Sequence, residues 1–249
     1  MIPTSETLPR LWLARLDAPL PPSSLAWLDD DEHGRLARIS HPAVRQARIV
    51  AWSLRRWALS HVRPEVGPAE WRFVPGPHGK PEAVARLAAC GLHHSLSHGG
   101  AYAAVLIADA PCGVDIDAPP PGLEAADVVL SARERAAVLA HSRPADRFLQ
   151  HWVMKEAALK LLGTGFAVRP EGFELALAPD GASAAEITRR GESPRLPPNT
   201  QLHGWPLPDG HRLAAALTRP ALLQPAWASW GGVDLAPQPH SNQASRPPV

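Results

Sequence analysis

The stretch PADRFLQHWVMKEAALKLLGTG constrains the fold more than any other part of the chain. Its apolar spacing predicts one long helix from about Ala145 to Leu162, with Phe148, Trp152 and Leu159 on the inner face. Gly163-Thr164-Gly165 stops it, because glycine accepts the left-handed backbone that closes a helix.

Around this helix the pattern alternates between strands and further helices. LWLARLD (11–17) alternates apolar and polar residues and predicts a strand ended by PLPP. Residues 29–62 are helical, with Asp29 to Asp31 as N-terminal caps and a break at His41-Pro42. WRFVPGPHGKP runs from a short strand into a Gly/Pro turn, and HHSLSH is a polar turn entering the buried strand AYAAVLIA (101–108). GVDID (113–117) is a second strand, and Ser131 to Leu139 a short helix with Ser131 as N-cap and Glu134 three residues on. FELALAP and RLAAALTRP are later strands. The fold class is therefore α+β. Each half carries strands and a long helix, which suits a duplicated unit, although no self-similarity in the sequence establishes one. From 221 onward Pro, Ala, Ser, Gln and Trp follow without periodicity, and the tail 221–249 is expected to be mobile or weakly docked.

At 249 residues the chain suits one sizeable domain or two small ones. Its formal charge of +1 implies no large nucleic-acid footprint, although Arg45, Arg48, Arg55 and Arg56 can make a local basic face. Cys90 and Cys112 lack metal-ligand spacing and are too few for a disulfide framework, so both read as buried apolar residues. The N-terminus has no long apolar segment and no run approaches membrane-spanning length, so a cytoplasmic protein without a membrane partner is expected.

The chemistry-bearing residues cluster by type. There are three lysines against 22 arginines, and they lie in GPHGKP (Lys80) and in VMKEAALK (Lys155, Lys160). Lysine is a compact point charge suited to phosphate, whereas chance plus one helical ion pair is the bland account. Asp115 and Asp117 sit two apart on a strand, so their carboxylates share one face while Val114 and Ile116 enter the core. Two hard anionic ligands with a third carboxylate suit Mg²⁺; alternatively they solvate the turn before APPP. Glu156 lies in an apolar stretch where a carboxylate is costly unless paired or metal-bound, and Trp152, Glu156 and Lys160 form one helical stripe. Its bland reading is an ion pair with Lys160. Lys155 is rotated by about 100° to another edge. Ser97 and His98 suit phosphate contact better than acyl transfer, since adjacent residues do not readily make a nucleophile–base pair. Three carboxylates, several cations and no embedded nucleophile describe phosphoryl-type transfer to a hydroxyl on the substrate.

These motifs resemble a known family. GVDID is similar to the GVDIE-type motif of 4′-phosphopantetheinyl transferases and WVMKEAALK to their WxxKEAxxK motif, in the family's order after GKP and SLSH. The resemblance covers about residues 10–220 and suits the larger, monomeric, surfactin-activating (Sfp-type) branch. It implies two similar α+β halves related by pseudo-twofold symmetry, 1–110 and 111–220, with the active site at their interface. It also implies transfer of the phosphopantetheine arm of coenzyme A to a serine of an acyl or peptidyl carrier protein, releasing 3′,5′-ADP. By position, Asp115, Asp117 and Glu156 bind Mg²⁺, and Glu156 or a water it holds takes the serine proton. Lys160 stabilises the separating diphosphate, with Lys155 close by. Gly79, Lys80 and Pro81 line the nucleotide pocket, Ser97 and His98 touch the diphosphate, and an arginine such as Arg45 holds the 3′-phosphate. The family often has Glu where Asp117 stands, Asn at Ser95 and Ser at Gly99. The competing readings are a non-catalytic binder of coenzyme A and carrier protein, and a Mg²⁺-dependent nucleotide phosphohydrolase.

Overall fold

The computed structural model describes residues 8–76, 80–84, 91–119, 122–164, 168, 170–178, 184–189, 196–230 and 233–235. The first strand, β1 (Arg10–Arg15), is buried on both faces, with Trp12 and Ala14 in one apolar cluster and Leu11 and Leu13 in another. A short α1 (Ser23–Ala26) leads to α2 (Asp30–Ala37), which opens with a reciprocal cap between Asp29 and Glu32. The long α3 (Pro42–Val62) starts on Pro42, where a missing N–H costs nothing. A hairpin follows, β2 (Arg72–Pro75) with β3 (Pro81–Val84), and then β4 (His93–Gly99) and β5 (Tyr102–Ala108).

The second half opens with β6 (Cys112–Asp117). Two short helices, α4 (Ala126–Val129) and α5 (Ala132–Leu139), precede the long α6 (Pro144–Leu162). Ser131 caps α5 together with Glu134, and Gly163 closes α6 at φ 71°, both as expected from the sequence. A hairpin again follows, β7 (Phe173–Leu177) with β8 (Ala184–Arg189), then β9 (Gln201–Pro206) and β10 (Arg212–Leu217). The chain returns to the first half as β11 (Pro225–Trp227), β12 (Ser229–Trp230) and β13 (Val233–Asp234).

Both halves run strand, helices, hairpin, strand, strand. The sheets also share an order: β1-β5-β4 in the first and β6-β10-β9 in the second, all antiparallel, with β11 added parallel to β1. The α+β class is borne out. One core lies between α3 and the first sheet, one between the two sheets, and one between α6 and the second sheet. The layers are thus helix, sheet, sheet, helix, and β4 lies against β6 where the sheets meet at an edge.

Two expectations change. HHSLSH is not a turn but most of β4, paired with β5 through a tight turn at Gly100 (φ 55°). Its polar side chains line a cavity, so the strand lacks the usual apolar alternation. Residues 225–227, expected in a mobile or weakly docked tail, pair with β1, and Ala228 and Leu235 beyond them are completely buried in the first core. Among the described residues no helix is long and apolar enough to cross a membrane.

Candidate functional site

Gly113 decides how the site assembles. A Cβ there would stand 1.9 Å from the Ala157 carbonyl oxygen and 2.5 Å from the Leu161 nitrogen. The absent side chain lets α6 descend onto the backbone of β6. Strand alternation then turns Val114 and Ile116 into the inter-sheet core and Asp115 toward α6.

Lys160 completes the arrangement. Its ammonium donates to Asp115 Oδ1 at 2.6 Å and to Ser97 Oγ at 2.7 Å, while the Ser97 hydroxyl donates to Asp115 Oδ1 at 2.7 Å. The expected alternative, a helical ion pair with Glu156, is replaced by this cross-element one. Ser95 Oγ accepts from the Val114 N–H at 3.1 Å, so two serines of β4 stitch the sheet edges together.

Glu156 stands beside this group with an unsatisfied charge environment. Its Oε1 finds no hydrogen-bond partner among the described residues. Burial pushes its carboxyl up to about 7, Asp115 and Asp117 push in the same direction, and Lys160 opposes them. Asp115 is likewise raised by burial, against the pull of Lys160 and Ser97. The three carboxyls are close enough to repel one another, with Lys160 bonded to only one. Among the described residues no group of three His, Cys, Asp or Glu converges as a ready-made metal cluster. Asp117 Oδ1 accepts from the Ala118 N–H.

From this end a cavity of about 380 Å³ runs between the halves. Lys160 and Gly163 of the second half and Ser97 and His98 of β4 line one part of it. Lys80, Pro81, His94 and the α3 residues Arg48, Trp52 and Arg55 line the rest. Lys80 donates to the Cys112 and Lys160 carbonyls at 3.0 and 2.6 Å, tying its hairpin to the second half. Burial, with Arg48 and Lys160 adding repulsion, lowers His98 to about 4, so its imidazole is neutral. His94 is lowered well below its usual range by burial, Arg55 and Lys80. Arg55 is lowered to about 10 by burial, although Glu32 supports its charge. Its guanidinium lies 3.3 Å from the centre of the Phe73 ring, and its Nε has no partner among the described residues.

The structure therefore brings Asp115, Glu156, Lys160, Ser97, His98, Lys80 and Pro81 together, while Gly79 lies outside the described residues. Two expected residues are elsewhere. Lys155 is 0% exposed and buried under α5, donating to Glu134 at 2.7 Å and to the Val129, Pro170 and Phe173 carbonyls. The 100° offset from Glu156 carries it away from the cavity and into the helix packing. Arg45 is exposed and donates to the Ile39 carbonyl, away from the cavity lining. Neither Trp52 nor the neutral His94 is among the expected residues, and of the four arginines expected as a basic face Arg48 and Arg55 line the cavity, with Trp52 between them. Their spacing of four and three residues was the available signal. Cys112 is buried and raised to about 12, as a structural thiol should be; Cys90 lies outside the described residues.

Comparison with known proteins points to one family. The chain is 31% identical over 137 residues to the 4′-phosphopantetheinyl transferase psf-1 of Bacillus pumilus, covering 53% of the chain and 55% of that protein. It is 30% identical over 165 residues to slr0495 of Synechocystis sp., whose name assigns the same activity provisionally, covering 64% of the chain and 66% of that protein. The matches thus span between about half and two thirds of those relatives. Residues 111–216, from the start of β6 through most of β10, match the family model of the 4′-phosphopantetheinyl transferase superfamily. Through that segment, which carries Asp115, Asp117, Glu156 and Lys160, the chain belongs to the 4′-phosphopantetheinyl transferase superfamily.

Proposed function

We propose that the protein transfers the 4′-phosphopantetheine arm of coenzyme A to a serine hydroxyl of an apo acyl or peptidyl carrier protein, leaving 3′,5′-ADP. The observation that carries this reading is a cationic cavity that ends at Lys160, Asp115 and an underpaired Glu156. A diphosphate fits the cationic part, and a hydroxyl entering beside Glu156 meets a carboxyl able to take its proton.

In this reading Arg48 and Lys80 hold phosphate oxygens, and the neutral His98 donates its ring N–H to another. Lys160 neutralises charge on the phosphorus oxygens as the bridging P–O bond to the adenosine side breaks. The serine Oγ forms the new P–O bond, its proton passes to Glu156, and the electron pair leaves with 3′,5′-ADP. Asp115, Asp117 and Glu156 are the residues that would hold Mg²⁺, supplying further neutralisation of the diphosphate. The fit rests on the orphaned Glu156 oxygen and the mutual repulsion of three hard-oxygen donors, both of which a divalent cation relieves. The halves 1–110 and 111–220 as working units, the Sfp-type branch, a monomer and a cytoplasmic setting belong to the same reading.

The test is direct. Incubation with coenzyme A, Mg²⁺ and an apo carrier protein should add one phosphopantetheine to the carrier by mass spectrometry. No adduct across several carriers sinks the proposal, and coenzyme A breakdown without a carrier would favour a phosphohydrolase. Glu156→Gln should abolish transfer with an unchanged thermal melt; full activity would remove Glu156 from its role.

A further inference from the structure

Each long helix carries one cation that is sealed from solvent and takes no part in the proposed chemistry. Arg56 of α3 and Lys155 of α6 are both 0% exposed. Each is bonded to the third residue of the short helix before it. Arg56 donates to Glu32 at 2.6 Å, and Lys155 to Glu134 at 2.7 Å. Both glutamates are also the reciprocal-cap residues of α2 and α5, so their positions are fixed independently. Arg56 also donates to Asp29 at 3.0 Å, and Glu32 also accepts from Arg55 at 2.8 Å. Backbone carbonyls complete each set: Trp71 and Pro68 for Arg56, and Val129, Pro170 and Phe173 for Lys155.

Apolar packing is non-directional and lets a helix roll, whereas hydrogen bonds restrict both distance and angle. A buried, multiply bonded cation therefore fixes the rotation of its helix. Beside each cation lies the stripe that faces the cavity. Arg55 directly precedes Arg56, with Trp52 and Arg48 on the turns before it. Glu156 directly follows Lys155, with Lys160 one turn further on.

We propose that Arg56–Glu32 and Lys155–Glu134 are two positioning pairs with separable effects. The first sets the binding face of α3, and the second the reacting face of α6. The inference rests on the transferase reading above and deepens it.

Glu32→Gln, Glu134→Gln and Lys155→Met test it, each compared with wild type by thermal melt, coenzyme A binding calorimetry and transfer kinetics. Glu134→Gln and Lys155→Met should lower kcat about 100-fold, as small misplacements of reacting groups do, with coenzyme A affinity unchanged. Glu32→Gln should weaken coenzyme A binding about tenfold, as loss of a charge-assisted bond does, with kcat unchanged. If kcat and affinity fall together in both sets, or only in proportion to unfolded protein, the pairs merely hold the fold and the proposal is overturned. Should Lys155→Met fail to fold, the milder Glu134→Asp must still lower kcat alone; wild-type kinetics there would overturn it. A wild-type protein that binds coenzyme A but modifies no carrier would instead sink the transferase reading, and this inference with it.

Discussion

In the first half, the residue after the buried cation of α3 is Trp57, and His61 follows one turn later. Their rings stack with centroids 5.0 Å apart, and Trp12 of β1 meets each edge-on at 5.6 Å. In the second half, the residue after the buried cation of α6 is Glu156, and Lys160 follows one turn later. There β6 contributes Asp115, 2.6 Å from Lys160. Helix positions that hold a stacked ring pair in one half hold a carboxyl and an ammonium in the other. Aromatic contacts add stability, whereas partly buried carboxyls of like charge subtract it. The layer of helix on strand therefore accepts either filling, and the reacting groups are placed where the second half gives up packing energy.

The halves also differ in how closely helix meets strand, and this is where the comparison breaks most sharply. α3 rests on β1 through the side chain of Trp12, while α6 rests on β6 at Gly113 with no side chain between. Gly113→Ala would place a methyl group 1.9 Å from the Ala157 oxygen, so α6 must lift. We expect a loss of about 3 kcal/mol in chemical denaturation, the usual cost of overpacking. Transfer should be abolished even in the folded fraction, because Lys160 leaves Asp115. Retained transfer would mean that backbone contact is not what assembles the site.

A second difference lies at the sheet edges. The outer edge of β1 is covered by β11, and the Arg15 N–H donates to the Leu235 carbonyl at 3.1 Å. The edge of β6 instead faces β4 across the serines that line the cavity. Truncation after Gln224 removes the cover from the first half alone. It exposes the core around Ala228 and Leu235, and should cost about 2 kcal/mol in urea, roughly the burial of one leucine. Transfer per folded molecule should persist. A truncated protein as stable as the full chain would mean that the strap contributes nothing.

How much of this was legible follows from what each residue's neighbours are. Asp115 and Asp117 could be read because strand alternation is local, and Glu156 and Lys160 because one helical turn relates them. Ser131 and Glu134 were legible as a cap for the same reason. That Glu134 also receives Lys155, 21 residues away, has no local signature, so Lys155 looked like one more cation for phosphate. The α3 helix presented the opposite problem. Arginine is so common along it that spacing alone did not separate Arg48 and Arg55, which reach the cavity, from Arg45, which bonds Ile39. β4 reads as a turn in the sequence because its polar residues line the cavity, which erases the apolar alternation that marks most strands.

The smallest expected effect separates the two walls of the cleft by pH. On the first-half wall, His98 is held at about 4 and His94 well below 6.5, both chiefly by burial. The unfolded chain keeps these imidazoles near 6.5, so below that pH it binds protons that the folded protein refuses. Their contribution is complete above pH 6.5 and is lost progressively as pH falls through about 4 for His98. Melting temperature should therefore drop between pH 6.5 and 4, and His98→Gln should flatten part of that slope while leaving neutral-pH stability nearly unchanged. The difference between the two curves isolates the imidazole from the carboxyls of the opposite wall, which titrate in both proteins. Superimposable slopes would show that His98 charges freely in the folded state, and the wall facing the diphosphate would then be cationic throughout rather than cationic with a neutral donor set into it.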